Sequence, residues 1–442
     1  MLHNLRWVCL PVILLSVLVL SISSAIGQSS EEKSTERKRV EELIRDLNSP
    51  TLVDRSRAER QLLELGTRTL KFLPPLDLIE SPAARDAVRR LRLQLERLAA
   101  RESANASTVS LAGELSLAVI LAEITRQTGN QIRSDDLPDE ILAKRIQTSW
   151  KNLSFWDCVD ELSRREKVRW KYGDHDKIQF TIQNSGLHEK LPSARNSGPF
   201  HVELESTEVR PIVGNDEQSL LRINGSIAIE PRLRPLFLSL IAKEFNVTTD
   251  LEQSLSVWNP DAKYELPLEG RQTKFQLDFV LPTELKATTI SLRGRANCQI
   301  VSATEPVVFD QKSLVRGTIR RRGGVTIRLR NIASESVHPD RINGEIGIVV
   351  SYETGGPAFE SHRSWIFHNQ TYLETSNGKR IQYTGFDLAQ QTDGAVAVEY
   401  LWNDIEPPFD QYQFVYEAPT LILNVPIDFD FRKIALQQSV EK

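Results

Sequence analysis

The sequence predicts a multidomain α+β protein: an N-terminal helical segment, a small βα domain, and then mostly antiparallel β-sandwich. Three observations lead there. Between Glu31 and about Ala106, apolar residues recur at helical spacing among charges, with Phe72 the only aromatic. From Thr108 to about Gln183, short alternating runs are interleaved with two amphipathic segments. After Pro199, nearly every segment alternates with period two between turn signals, as half-buried antiparallel strands do. A chain of 442 residues, at roughly 150 residues per domain, is long enough for about three cores.

Residues 1–27 have the pattern of an export signal. Arg6 precedes an apolar run from Leu10 to Leu20, and the small-x-small stretch Ala25-Ile26-Gly27 stands before Gln28. That run is too short to span a bilayer comfortably, since a spanning helix needs about 20 apolar residues. An uncleaved signal anchor is the alternative. Cys9 lies ahead of the apolar run rather than after it, which disfavours a lipid anchor. No later segment is apolar enough to cross a membrane, so none is expected once the signal is removed. Export to the periplasm or cell surface is the expectation.

The chain carries 55 basic and 59 acidic side chains, a formal net charge of −4. Loss of the signal removes only Arg6, which leaves the balance acidic and predicts no nucleic-acid partner. Cys158 and Cys298 then remain, far apart in sequence, so stability does not depend on a disulfide framework.

The helical segment is placed at 28–107. Val40, Leu43, Ile44 and Leu47 mark a first helix, and Asn48-Ser49-Pro50 supplies a stop and then a cap with proline in the first turn. Leu52, Leu62, Leu63 and Leu65 lead to a terminating Gly66. Pro74-Pro75 breaks the next piece, and Ser81-Pro82 opens a long helix through Arg101 bearing Val88, Leu91, Leu95 and Leu98. At an offset of 32 residues, Ser49-Pro50, Asp54, Arg57, Arg60, Leu63 and Glu64 meet Ser81-Pro82, Asp86, Arg89, Arg92, Leu95 and Glu96. This period suits paired-helix repeats, and the segment resembles a short HEAT-like unit.

Residues 108–183 read as the βα domain. Strands are expected at Val109-Ser110-Leu111, near Gln131-Ile132, across Ile146–Trp150, and in a hairpin of Val168–Tyr172 with Ile178–Ile182 about Gly173-Asp174-His175-Asp176. Two helices intervene, one with Leu117, Ile120, Leu121 and Ile124 on a face and ending at Gly129, the other capped by Ser154. The stretches Leu115-Ser116-Leu117 to Gln127-Thr128-Gly129 and Leu153 to Leu162 resemble the short N-terminal domain of secretins and TonB-dependent receptors. The resemblance implies a small periplasmic module that makes protein contacts. The chain beyond residue 183 departs from that family, with no secretin pore domain, plug or long barrel, so no channel function is carried over.

A Ser/Gly/Pro/Asn-rich linker is expected at 184–199, with sandwiches at 200–310 and 311–436 after it. One large sandwich is the alternative. The closing stretch Tyr412 to Leu436 is similar to the tail of secreted planctomycete-type proteins of unassigned role.

Chemical motifs are few. HExxH, CxxC, a phosphate-binding loop, a dinucleotide fingerprint and G-x-S-x-G do not occur, and neither cofactor nor metal is expected. His362 and His368 flank Trp365, and Asp428 with Asp430 share a strand face; surface positions account for both pairs. Trp150, Trp156, Trp170 and Tyr172 could form a sugar platform but fit a small core better. Cys158 shares a helix face with Phe155 and Leu162 and reads as a buried small hydrophobe. The densest basic cluster is Arg320-Arg321-Arg322 at a hairpin tip, with Arg316, Arg328 and Arg330 on its arms. It suits an acidic partner, and it also protects a sheet edge from unwanted pairing.

The expectation is therefore a secreted or periplasmic, non-enzymatic binding or scaffolding protein of the cell envelope, acting through protein contacts. Its partner would be an envelope protein or anionic envelope polymer, and oligomerisation is compatible with it. Two alternatives stay open: a polysaccharide hydrolase with carboxylates from distant strands, and a self-assembling surface protein.

Overall fold

The computed structural model describes residues 37–75, 78–79, 81–173, 177–182, 193–352, 366, 369–392 and 394–436. The expected signal, 1–27, lies outside them. The chain is α+β, with helices first and large antiparallel sheets after them. It divides into two compact units at Glu102/Ser103.

The first unit packs α1 (37–46), α2 (Leu52–Glu64) and α3 (Pro82–Ser103) around Val40, Leu43, Leu47, Leu62, Val88 and Leu91. The cap of α2 differs from the expected one. Thr51, not Ser49, caps it, its hydroxyl accepting from the Asp54 N–H at 3.3 Å. Ser81 caps α3 as expected, accepting from Ala84 N–H at 3.4 Å. The two helices thus start at points that do not follow the sequence offset. Pro50 stands before the cap because Thr51 supplies the hydroxyl one residue later, and the Arg55 guanidinium closes the turn on the Ser49 carbonyl at 2.7 Å.

The second unit opens with the βα module: β1 (Thr108–Ser116), α4 (Leu117–Thr128), β2 (Ile132–Arg133), α5 (Asp139–Leu142), β3 (Arg145–Ser154), α6 (Phe155–Glu166), β4 (Val168–Tyr172) and β5 (Ile178–Ile182). Ser116 and Ser154 cap α4 and α6, and Gly129 ends α4 at φ 74°. β1 pairs with β3, while β5 lies between β2 and β4. Residues 174–176 of the expected turn lie outside the described residues.

Next come β6 (Ser193–Ser197), β7 (Phe200–Ile212), β8 (Asn215–Ile229), β9 (Arg234–Thr249), β10 (Ser254–Val257), β11 (Lys263–Pro267), β12 (Gln272–Pro282) and β13 (Thr289–Phe309). After them run β14 (Ile319–Arg322), β15 (Val325–His338), β16 (Arg341–Tyr352), β17 (Thr371–Glu374), β18 (Arg380–Gln382), β19 (Gly385–Thr392), β20 (Ala395–Ile405) and β21 (Gln413–Ala435). Part of the expected linker is thus a strand, β6, paired with β7 from Ser193↔Leu204 to Ser197↔Phe200. Its polar composition disguises it, because Asn196 spends its side chain on hydrogen bonds rather than on a core.

The sheets enclose two cores, but not in succession along the chain. One lies among β7, β8, β9, β12 and parts of β13 and β21, around Phe200, Ile223, Leu238, Phe279, Leu292 and Phe429. Its sheet curls far enough that Thr207 Oγ1 donates to the Ala435 carbonyl and Asp428 N–H to Ser197 Oγ, each at 2.9 Å. The other core faces the five-stranded sheet β14-β15-β16-β20-β19 and holds Ile327, Ile348, Tyr400, Trp402, Phe309 and Phe414. β13 and β21 pair antiparallel from Thr289↔Ala435 to Phe309↔Phe414 and serve both cores. At the waist each strand has an extra residue, Ser302 in β13 and Thr420 in β21. The parity of buried positions reverses there, from Ala296, Cys298 and Ile300 to Val307 and Phe309. The junction expected near Asp310 therefore falls at Ser302 and Thr420 instead, since a one-residue bulge, not a linker, passes the strand between cores.

Candidate functional site

The basic cluster sits on the hairpin of β14 and β15. Arg322 pairs with Val325, and Gly323 and Gly324 between them have φ of 50° and 81°. Positive φ at both loop positions is the two-residue turn that matches strand twist, and it asks for glycine. A side chain at Gly323 would also lie 2.3 Å from Cβ of Thr420, so the tip rests against the waist of β21.

The pleat splits the cluster. Residues directly opposite one another share a sheet face. Arg320 and Arg322 stand opposite Ile327 and Val325, which are buried, and so belong to the inner face. Arg321 stands opposite Thr326, and Arg328 opposite Ile319, on the outer face. Arg316 lies in the turn before β14. All five arginines are exposed, and among the described residues none of them forms an ion pair; Arg330, by contrast, reaches Glu399 at 3.7 Å.

A groove of about 570 Å³ runs between Pro306, Val307 and Val308 of β13 and Ile319 to Arg322 of β14. Among the described residues both walls are open sheet edges. β9 leaves β13 after Val301, and β14 is the last strand of its sheet. Asp310, at the end of β13, keeps its carboxyl below the usual range, chiefly through the Ser313 hydroxyl at 2.5 Å and backbone N–H at 2.9 Å, with Arg320 contributing. The arrangement concentrates exposed cations that form no ion pair among the described residues over an apolar floor, in a chain whose net charge is negative.

The other expected positions resolve differently. Asp428 and Asp430 are exposed and face Arg295 at 2.7 Å and Arg293 at 3.4 Å across the β13–β21 ladder. No group of three or more metal-ligating side chains occurs among the described residues. His362, Trp365 and His368 lie outside them. Trp156 is fully buried and Trp150 nearly so, while Trp170 meets Trp156 at 4.8 Å between ring centroids, the rings tilted by 44°. Cys158 is buried, and desolvation pushes its thiol up to about 12.

Two polar clusters escaped the sequence, and both join the βα module to the sheets. His201 of β7 lies in contact with Trp156 and Trp170, 3.8 Å from Asp160 and 4.0 Å from Glu203. The Asn196 amide donates to Asp157 and Asp160 at 2.8 and 2.9 Å, which turns its oxygen to His201 Nδ1 at 2.8 Å and makes that nitrogen the donor. Burial pushes the imidazole down and the Asp160 and Glu203 carboxyls up. In the second cluster the fully buried Glu230 accepts from Ser107 N–H (2.9 Å) and Oγ (2.7 Å), Asn130 Nδ2 (3.1 Å) and Arg232 Nε (2.6 Å). Neither cluster has a local motif, because its members come from segments far apart in sequence.

Among the described residues no helix is long and apolar enough to cross a membrane. No family model matches the chain, and no curated protein matches it.

Proposed function

We propose that the chain is an exported, non-enzymatic binding and scaffolding protein of a bacterial cell envelope that acts through protein contacts. The arginine groove carries this reading: exposed cations without ion-pair partners beside two open sheet edges form a surface suited to an acidic partner. The export pattern of residues 1–27 supports the location. The likeness of 108–183 to a periplasmic contact module supports the mode of action. The His201 and Glu230 clusters add to it, since they join that module to the sheets through buried hydrogen bonds, as a scaffold requires.

The test is affinity capture by residues 28–442 from a native envelope extract under mild cross-linking, beside an Arg320→Glu/Arg322→Glu variant. A reproducible protein captured by the first and lost by the second is the expected result. Capture of glycan alone, with chain shortening over time, would overturn it in favour of a polysaccharide hydrolase.

A further inference from the structure

We infer that the groove receives an extended acidic segment of a partner protein, which adds as a strand to the outer edge of β14. This rests on the protein-binding reading and specifies how the partner is held.

Hydrogen-bond alternation fixes which edge is available. The two-residue turn makes Arg322 and Val325 a hydrogen-bonded pair, and Arg320 with Ile327 the next such pair. The N–H and C=O groups of Ile319 and Arg321 therefore point away from β15. No described strand pairs with them. They present two donors and two acceptors at the spacing of one strand register.

The facing wall is less suited to the same use. Glu417 donates its N–H to the Gln370 carbonyl at 2.9 Å, away from β13. Its cross-strand partner Pro306 consequently turns its own nitrogen toward the open side. Proline has no N–H to offer, so β13 lacks a donor at the centre of its free edge. A strand entering the groove pairs with β14 and lies over Val308.

Charge then selects the occupant. A residue placed opposite Arg320 or Arg322 shares their face, so carboxylates spaced two apart would meet both guanidinium groups over the groove. A second copy of this chain is disfavoured, because antiparallel pairing of β14 with itself sets arginine against arginine. The arginines that guard this edge against self-association thus favour acidic strands.

The test uses fluorescence anisotropy with the whole chain and a labelled octapeptide of alternating Glu and Val. Binding is expected, with a loss of about tenfold or more in the Arg320→Glu/Arg322→Glu variant. An Arg328→Glu/Arg330→Glu variant on the outer face of β15, clear of the groove lining, makes the same charge change, controls for folding, and is expected to bind within about threefold of wild type. N-methylation of alternate peptide amides keeps every charge but removes strand hydrogen bonds, and is expected to weaken binding by about tenfold. Equal binding by the N-methylated peptide, or by an anionic polysaccharide, would overturn strand addition in favour of a nonspecific field. If the peptide fails while protein capture still depends on Arg320 and Arg322, strand addition falls and the protein-binding role stands. If capture yields no protein, both fall.

Discussion

The Trp156 indole N–H donates to the Pro199 carbonyl at 2.9 Å, and the Glu230 backbone N–H donates to the same oxygen at 3.0 Å. One acceptor thereby ties α6 of the βα module to the corner between β8 and β9. Trp156→Phe keeps an aromatic ring but removes one donor from a buried carbonyl. The expected cost is about 2 to 4 kcal/mol, from the lost bond and the smaller ring together. Urea denaturation followed by intrinsic fluorescence measures it; an unchanged midpoint would show that the shared acceptor contributes nothing.

Glu230→Ala leaves the Arg232 guanidinium and Asn130 amide without their common acceptor. Loss of one partner from a buried charged network costs about 3 to 5 kcal/mol. Hydrogen exchange locates the damage, with the Ser107 amide, which donates to Glu230 at 2.9 Å, losing protection. Protection that persists at Ser107 would mean that the module is held elsewhere.

Acid acts on the His201 cluster with a definite sign. Burial lowers the imidazole from its ordinary 6.5, against the opposing charges of Asp160 and Asp157. The unfolded chain therefore takes that proton more readily, and the stability due to His201 is present above 6.5 and lost as pH falls through the lowered value. Asp160 and Glu203 run the other way. Burial raises both, so their contribution is complete below the ordinary carboxylate values and is lost as pH rises through the raised ones. Relative to wild type, His201→Asn should gain stability between pH 7.5 and 5.5. Parallel stability curves for the two proteins across that interval would exclude His201 as the acid-sensitive group.

Gly344 has no room for a side chain. A Cβ there would lie 2.1 Å from Cε2 of Phe409, which is itself buried. Gly344→Ala is expected to cost about 1 to 3 kcal/mol by overpacking. Phe409→Leu frees space at the same spot, so the double variant should be more stable than the two single losses added together. Thermal denaturation of the four proteins completes the cycle, and strict additivity would contradict the contact.

Local chemistry was legible in the sequence where one segment contains the whole cause. Ser154 and Gly129 bound their helices, and Gly323-Gly324 closes its hairpin, because a cap or turn needs only a few neighbouring residues. The cap at Thr51 was missed by two residues because three adjacent residues, Ser49, Pro50 and Thr51, all suit a helix start. The arginine cluster was visible as composition, yet its division between two faces depends on pairing with Val325 and Ile327. β6 was hidden because its strand character comes from β7, not from its own apolar pattern. The sharing of β13 by two cores needs residues 413–435, more than a hundred positions away, and periodicity carries no information over that span.

The waist at Ser302 and Thr420 also orders events in time. Through ribosomal synthesis, β7 to β12 and then β14 to β20 emerge before the strand that completes either core. Until residues 413–435 arrive, β13 stands with one edge bare along most of its length, and the apolar rows of both sheets wait for the same late partner. Such exposure favours association with whatever is nearby. A chain built this way closes its two cores together, with a single final strand drawn along both, and a nascent chain would need protection until that moment.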